Sequence, residues 1–165
     1  MRAEERISSL LKGSGLTLSA AESCTGGRIS HLITTVSGSS EYFLGSVTSY
    51  AVSVKETVLG VPAADISKHG VVSSEVAAAM AEGVKRLTGS SFAVSTTGLA
   101  EGGDSHYPEG TVWIGVTGPL GTKTYFYQWN GGRRPNIRRY AVVALRYLAE
   151  YIQCYLINCK STKET

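Results

Sequence analysis

The feature that most constrains the fold is an apolar run, a glycine-containing turn and a helical pattern in immediate succession. The run "LTLSAA" (16–21) has the length and composition of a buried strand. It leads into "ESCTGG" (22–27), after which apolar residues recur at spacings of three and four from Ile29 to Val36, as in a helix with one apolar face. Strand, turn and helix in this order are typical of α/β folds, in which helices pack on the faces of a sheet.

The remaining segments continue this alternation and add one hairpin. Further predicted elements are a helix over 3–12, a β-prone segment at 45–52, a helical turn within 54–61, a helix capped by Ser73, a buried strand over 91–98, a loop over 101–110, consecutive strands at 111–118 and 122–129, and a last helix that begins after Pro135. The predicted inward faces are Val76, Met80, Val84 and Leu87 in the Ser73 helix, and Ile137, Ala141, Leu145, Leu148 and Ile152 in the last helix. These patterns predict an α/β layered sandwich with a mixed β-sheet.

Length and charge narrow the class of protein. With 165 residues the chain has the usual size of one domain, so we predict a single domain over 1–165 with about the last eight residues as a polar tail. It has neither a membrane-spanning apolar run nor a signal-peptide pattern, which predicts a cytoplasmic protein that does not bind membranes. The net charge of +3 comes largely from 131–139 and favours a local anion site over a nucleic-acid surface. Three cysteines without zinc spacing predict no metal site.

Two candidate nucleophiles lie side by side in the turn. Ser23 needs a base within hydrogen-bond reach. The candidate bases are His31, His69, His106, Lys55 and Glu22. Cys24 is the rival nucleophile, because a thiol at a helix N-terminus has a depressed pKa and could pair with His69 or His106. The alternative is a structural role, in which Ser23 or Thr25 caps the helix and Cys24 is buried in the core.

Three further features indicate a site for a small anionic molecule. Lys55 follows a β-prone segment, where partial burial beside a strand end would lower its pKa and make it a usable base. The segment "TTGLAEGG" (96–103) resembles a glycine-rich loop in which Thr97 and backbone amides hold a phosphate or an oxyanion. Arg133 and Arg134 lie just before the predicted last helix, where either could form a bidentate pair with a phosphate. Each of these side chains could equally be an ordinary surface residue.

Seven segments together carry a resemblance to a known family. They are "AAESCTGG", "SGSSEYF", "TSYAVSVK", "LGVP", "HGVVSSEVAAAMAEG", "TTGLA" and "PEGTVWIGV", in this order. In this ordered set the chain resembles the CinA C-terminal domain family over nearly all of residues 3–152. The resemblance implies a three-layer α/β/α sandwich. It also implies a stand-alone form, because the N-terminal domain of full-length CinA proteins has no counterpart in this sequence.

The active members of that family are nicotinamide mononucleotide amidohydrolases. The resemblance therefore implies hydrolysis of the nicotinamide carboxamide to a carboxylate and ammonia, without a metal or other cofactor. By family match, Ser23 attacks the carboxamide carbon, Lys55 acts as the base, and Tyr50 lies beside this pair. The residues implied to bind the small anionic nucleotide substrate are Thr25, Gly26, Gly27, Thr97, Gly98 and Arg134, with Arg134 on the phosphate. The family also implies a homo-oligomer.

The chain departs from the family pattern close to these residues. Ala51 and Val52 replace residues with a hydroxyl and an amide, Glu101 stands where a glycine is expected, and the family segment "GDR" reads "GRR" with Arg133 in the middle. A carboxylate near a phosphate repels it, so Glu101 disfavours an anionic substrate. Glu101 and Val52 together leave a second function open, that of a catalytically altered or inactive nucleotide-binding or regulatory protein. Hydrolysis of another small anionic amide or ester is a third possibility.

Overall fold

A five-stranded mixed sheet forms the middle layer of the molecule. The structure is a computed structural model that describes residues 1–161, so the end of the predicted polar tail, 162–165, lies outside the described residues. The strands are β1 (Leu18–Glu22), β2 (Phe43–Thr48), β3 (Phe92–Gly98), β4 (Thr111–Gly118) and β5 (Gly121–Gln128). The helices are α1 (Ala3–Leu11), α2 (Arg28–Thr34), α3 (Val52–Thr57), α4 (Ala63–His69), α5 (Ser74–Thr88) and α6 (Arg133–Ser161), with a 3₁₀ turn at Ser39–Glu41.

The strands lie in the order β2-β1-β3-β4-β5. β1 runs parallel to both of its neighbours, whereas β3, β4 and β5 form antiparallel pairs. The last residue of β1, Glu22, pairs with Thr48 on one side and Thr96 on the other. Because β1, β2 and β3 are parallel, their carboxyl ends meet at one edge of the sheet.

Helices cover both faces of this sheet. α1, α2 and α6 pack on one face, and α5, with α4 against it, packs on the other. Strand side chains alternate between the faces: Ala20 of β1 joins the core beneath α2 and α6, and Ala21 joins the core beneath α5. The predicted three-layer α/β/α sandwich with a mixed β-sheet is therefore confirmed.

The structure differs from the sequence-based expectation at several element ends. α6 begins at Arg133 instead of after Pro135, because the N–H groups of a first helical turn have no acceptor in the helix and proline is tolerated there. The sequence does not indicate α4, since Ile66 is the one large apolar residue in its seven-residue span and leaves no periodic pattern. Leu87, predicted to face inward, is 55% exposed in the last turn of α5.

Gly83 marks the closest approach of α5 to the chain between α3 and α4. A Cβ at position 83 would overlap the carbonyl oxygen of Leu59. Alanine is normally favoured over glycine inside a helix by about 1 kcal/mol, but here the added methyl would push α5 away from that backbone. We expect Gly83→Ala to lower the free energy of unfolding by about 1–3 kcal/mol, as overpacking does elsewhere, in urea denaturation. An increase in stability would contradict this packing.

Candidate active site

Ser23 lies at the edge where the parallel strands end. β1 ends at Glu22, and Ser23 and Cys24 begin the turn that leads into α2. A cleft of about 160 Å³ opens at this edge. It is lined by Ser23, Cys24, Tyr50, Gly98, Leu99, Ala100, Glu101 and Arg133. A larger cavity of about 560 Å³ lies between α1 and α6, but the described residues that line it include no serine, threonine, cysteine, histidine or lysine.

The buried carboxylate of Glu22 holds the turn and the start of α2 together. Its Oε2 accepts hydrogen bonds from Thr25 Oγ1 (2.6 Å) and from the backbone N–H groups of Gly27 (3.1 Å) and Ile29 (2.9 Å). Its Oε1 accepts from the N–H (2.9 Å) and the hydroxyl (2.7 Å) of Ser30. The first N–H groups of a helix lack partners in the helix and favour negative charge. Glu22 therefore occupies the anion position that this turn would otherwise offer to a ligand.

The residues of this turn that were implied to bind substrate donate their hydrogen bonds within the protein. The Thr25 hydroxyl and the Gly27 N–H donate to Glu22, and the Gly26 N–H donates to the Ser23 carbonyl oxygen (3.1 Å). Gly26 and Gly27 have φ values of +58° and +97°, which residues with a side chain rarely adopt. These three residues shape the turn and do not line the cleft. Their contact with substrate stays a prediction that this arrangement does not favour.

Lys55 and Ser23 form the central contact of the site. The chain leaves β2 at Thr48, and α3 then carries Lys55 back to the end of β1. Lys55 Nζ lies 2.9 Å from Ser23 Oγ, 2.5 Å from the carbonyl oxygen of Ser49 and 3.4 Å from that of Tyr50. Of the five candidate bases, Lys55 is the one in hydrogen-bond contact with Ser23.

Burial favours the neutral form of Lys55. The residue has no solvent exposure, and desolvation of the ammonium lowers the pKa of Lys55, the direction expected from the sequence. A neutral amine has two N–H groups and one lone pair. The carbonyl oxygens of Ser49 and Tyr50 can accept the two N–H groups, which leaves the lone pair for the hydroxyl proton of Ser23. The arrangement can therefore deprotonate Ser23.

The other candidate bases are engaged elsewhere or exposed. Glu22 binds the start of α2, and His31 lies exposed on that helix. His69 Nδ1 lies 3.7 Å from the carboxylate of Glu75. His106 is exposed in the loop between β3 and β4. None of these four residues lines the cleft.

Cys24 lines the cleft but is not activated as a nucleophile. Its thiol is buried, and desolvation raises the pKa of Cys24 to about 12. The carboxylate of Glu22 acts in the same direction. The expected depressed pKa for Cys24 is therefore not found, because burial disfavours the thiolate and Glu22 adds a negative charge beside it.

The side chains of Thr96 and Thr97 in β3 point to opposite faces of the sheet. The Thr96 hydroxyl lies 2.8 Å from that of Thr25, on the face covered by α2. Thr97, one residue further, faces the other way and donates its hydroxyl to the carbonyl oxygen of Val71 (2.8 Å). Thr97 is thus turned away from the cleft that Gly98 lines. Its role in substrate binding stays a prediction without support from its position.

The arginine at the cleft is Arg133, whereas Arg134 was implied by the resemblance. Arg133 Nη2 donates to the Tyr50 hydroxyl (3.2 Å), and its Nη1 lies 3.5 Å from Glu101 Oε2. Arg134 is exposed and does not line the cleft. Tyr50 connects this group to Lys55 and Ser23, since its carbonyl oxygen contacts Lys55 Nζ. The family segment pointed to Arg134, and residue type alone does not separate two adjacent arginines.

Neither a metal centre nor a membrane helix is found in the part of the chain that the structure describes. Among residues 1–161, no three His, Cys, Asp or Glu side chains are grouped so that they could hold a metal ion. Within the same residues, no helix combines the length and the apolar character needed to cross a membrane.

Comparison with known proteins identifies the family. Residues 1–152 match the family described as the CinA C-terminal domain. The chain belongs to this family. A CinA-like protein of Salinibacter ruber is 45% identical over 144 residues, which are 86% of this chain and 35% of that protein. A CinA-like protein of Citrifermentans bemidjiense is 39% identical over 161 residues, 96% of this chain and 38% of that protein. The chain thus spans about a third of the length of these curated relatives.

Solved structures of CinA-related proteins have the same fold. The competence damage-inducible protein A (ComA) of Klebsiella pneumoniae is 27% identical, with a TM-score of 0.86 over 91% of this chain and 96% of that one. The competence/damage inducible protein CihA of Agrobacterium tumefaciens is 31% identical, with a TM-score of 0.85 over 88% of this chain and 91% of that one. The CinA fold therefore extends over most of the chain.

Glu22 supplies a prediction about the integrity of this CinA site. In Glu22→Gln, one carboxylate oxygen becomes an NH₂ group that faces N–H or O–H donors, so buried donors lose their acceptor. We expect a loss of about 2–4 kcal/mol in the free energy of unfolding, measured in urea, as for several unsatisfied buried groups. Glu41→Gln is the matched control, because Glu41 is an exposed carboxylate whose one ion pair, to Lys12 Nζ, spans 3.6 Å. Equal losses in the two variants would contradict the anchoring role of Glu22.

Proposed function

We propose that this chain is a nicotinamide mononucleotide amidohydrolase in which Ser23 and Lys55 form the catalytic pair. The observation that carries the proposal is the 2.9 Å contact between Lys55 Nζ and Ser23 Oγ beside an open cleft. A serine hydroxyl is a weak nucleophile until a base removes its proton, and a lysine can be that base only when it is neutral. The lowered pKa of Lys55 supports this role. The choice of substrate rests on the family resemblance around Ser23, Tyr50 and Lys55.

The reaction proceeds in two halves. Ser23 gives its hydroxyl proton to Lys55, and Oγ attacks the carboxamide carbon. The Lys55 ammonium passes that proton to the departing nitrogen, and the C–N bond breaks. Ammonia departs, and the acyl group remains on Ser23 as an ester. Lys55 then takes a proton from water, the resulting hydroxide attacks the ester carbon, and Ser23 Oγ leaves with the proton of Lys55. One carboxamide and one water thus give one carboxylic acid and one ammonia.

The tetrahedral intermediate needs a hydrogen-bond donor for its oxyanion. We assign this role to the backbone N–H of Cys24, which directly follows Ser23 in a strand-to-helix turn and belongs to a residue that lines the cleft. The donors of Gly26, Gly27 and Thr97 are less suitable, since each already binds an oxygen of the protein.

Nucleotide binding without catalysis is a second candidate function, and one observation favours it. Glu101 lines the cleft and brings a carboxylate to the place where an anionic substrate would enter. Val52, the other departure from the family pattern, is 40% exposed at the first position of α3 and is not part of the cleft lining. A binding protein would take up the nucleotide and release no ammonia.

The test is release of ammonia and nicotinic acid mononucleotide from nicotinamide mononucleotide by the purified protein in the presence of EDTA. We expect turnover by the wild type. Ser23→Ala removes the nucleophile and is expected to lower kcat by at least about a thousand-fold. Lys55→Ala removes the base and is expected to lower kcat by about 10²–10⁴-fold.

Two matched controls separate chemistry from general damage. Ser53→Ala and Lys68→Ala remove the same side chains at exposed positions of α3 and α4, and both should retain full activity. Thermal shift with nicotinamide mononucleotide is measured on every variant. Nucleotide binding by a folded wild-type protein without ammonia release would reject the amidohydrolase and support the binding function.

The lowered pKa of Lys55 predicts the pH dependence. The base is active when neutral, so kcat/KM is expected to rise with pH and to level off above the pKa of Lys55, which burial shifts below its ordinary value of 10.5. A pH–rate profile checks this, together with NMR titration of the Lys55 ammonium in Ser23→Ala. A rate that falls with rising pH over the range of that titration would rule out Lys55 as the base.

A further inference from the structure

Arg133 reaches the cleft mouth from a different element than the catalytic pair. It is the first residue of α6, whereas Ser23 follows β1 and Lys55 lies on α3. Its guanidinium contacts two other residues that line the cleft, the Tyr50 hydroxyl at 3.2 Å and Glu101 Oε2 at 3.5 Å. The side chain is 48% exposed, so these contacts leave part of the guanidinium open to solvent.

We propose that Arg133 is the residue that selects an anionic substrate, and that Glu101 competes with the substrate's anionic group for the guanidinium. This inference rests on the proposed function, because it concerns the same cleft. A guanidinium presents five N–H donors in a plane and binds carboxylate or phosphate through two parallel hydrogen bonds. The Tyr50 hydroxyl accepts a hydrogen bond from one of these donors.

The size of the cleft suits a substrate whose reacting ring binds inside the cleft while the rest of the molecule lies at its mouth. A cavity near 150 Å³ is large enough for one aromatic ring such as benzene. The cleft of about 160 Å³ can therefore hold a ring with its carboxamide next to Ser23, but not a whole nucleotide. The ribose and phosphate then lie at the mouth, where Arg133 is the one cation among the residues that line the cleft.

Glu101 competes with an anionic substrate for this arginine. The Arg133–Glu101 pair is exposed and its closest atoms are 3.5 Å apart, so it contributes little and exchanges readily for a better ligand. A neutral substrate gains nothing from displacing Glu101. A phosphate displaces it through two charge-assisted hydrogen bonds and releases the carboxylate to water. Glu101 therefore lowers the affinity for every anion that has to displace it from Arg133.

The experiment compares four single variants, with nicotinamide mononucleotide and its uncharged counterpart nicotinamide riboside as probes. Arg133→Gln is expected to raise KM for the mononucleotide about 10- to 100-fold, as loss of hydrogen bonds to a charged group does, with little change in kcat. Its kcat/KM for the riboside should stay that of the wild type. Glu101→Gln should lower KM for the mononucleotide. Arg138→Gln, an exposed arginine further along α6, controls for net charge.

Arg134→Gln tests the rival assignment. A rise in KM for the mononucleotide in Arg134→Gln and none in Arg133→Gln would overturn the inference, as would equal effects of Arg133→Gln on both probes. Calorimetric binding of the mononucleotide to Ser23→Ala and to Ser23→Ala/Arg133→Gln keeps this result separate from the proposed function. Binding that weakens in the double variant supports Arg133 even if the wild type releases no ammonia. Equal binding, or none, overturns it.

Discussion

The candidate site depends on one buried carboxylate. Glu22 is fixed by the sheet, where β1 pairs with β2 and β3, and its side chain accepts five hydrogen bonds from the turn and the start of α2. A carboxylate without access to water is tolerated only if its oxygens are hydrogen-bonded. Ser23 lies between these two attachments, with its own N–H donating to the Thr96 carbonyl oxygen (3.1 Å). The position of Ser23 therefore follows from the way the neighbouring carboxylate of Glu22 is buried.

Burial of Lys55 favours its neutral form but lowers the stability of the fold. Its pKa is lower in the folded protein than the ordinary value of 10.5, so the folded state binds fewer protons than the unfolded chain between these two pH values. Below the folded-state pKa, burial of Lys55 destabilises the fold by the full amount, and above 10.5 this effect is gone. The contribution of Lys55 to the free energy of unfolding therefore rises with pH between its folded-state pKa and 10.5. A solvent-exposed lysine would avoid the loss, but it would be protonated at neutral pH and could not take the proton of Ser23.

The fold was predictable from the sequence because its elements have strong local signals. Ser73 caps α5 by accepting from the Val76 N–H (3.3 Å), and the apolar stripes of α5 and α6 are buried apart from Leu87 and a half-buried Ile137. For the site, the sequence predicts only which polar residues follow the ends of strands, and not which of them contact one another. No local pattern shows that Glu22 would fill the helix N-terminus, because this depends on five donors brought together by the turn. Nor does the sequence show which face of β3 carries Thr97, or which of two adjacent arginines reaches the cleft.

The two charged departures from the family pattern meet at the cleft mouth. Glu101 comes from the loop after β3 and Arg133 from the start of α6, and their closest atoms are 3.5 Å apart. Considered alone, Glu101 repels an anionic substrate and favours a loss of activity. Considered with Arg133, it pairs with the guanidinium, so the two charges offset each other, and an anion that displaces Glu101 meets a free cation. The same glutamate that argues against catalysis on the sequence alone is therefore compatible with an anionic substrate, provided that Arg133 and not Glu101 is the group that the substrate meets.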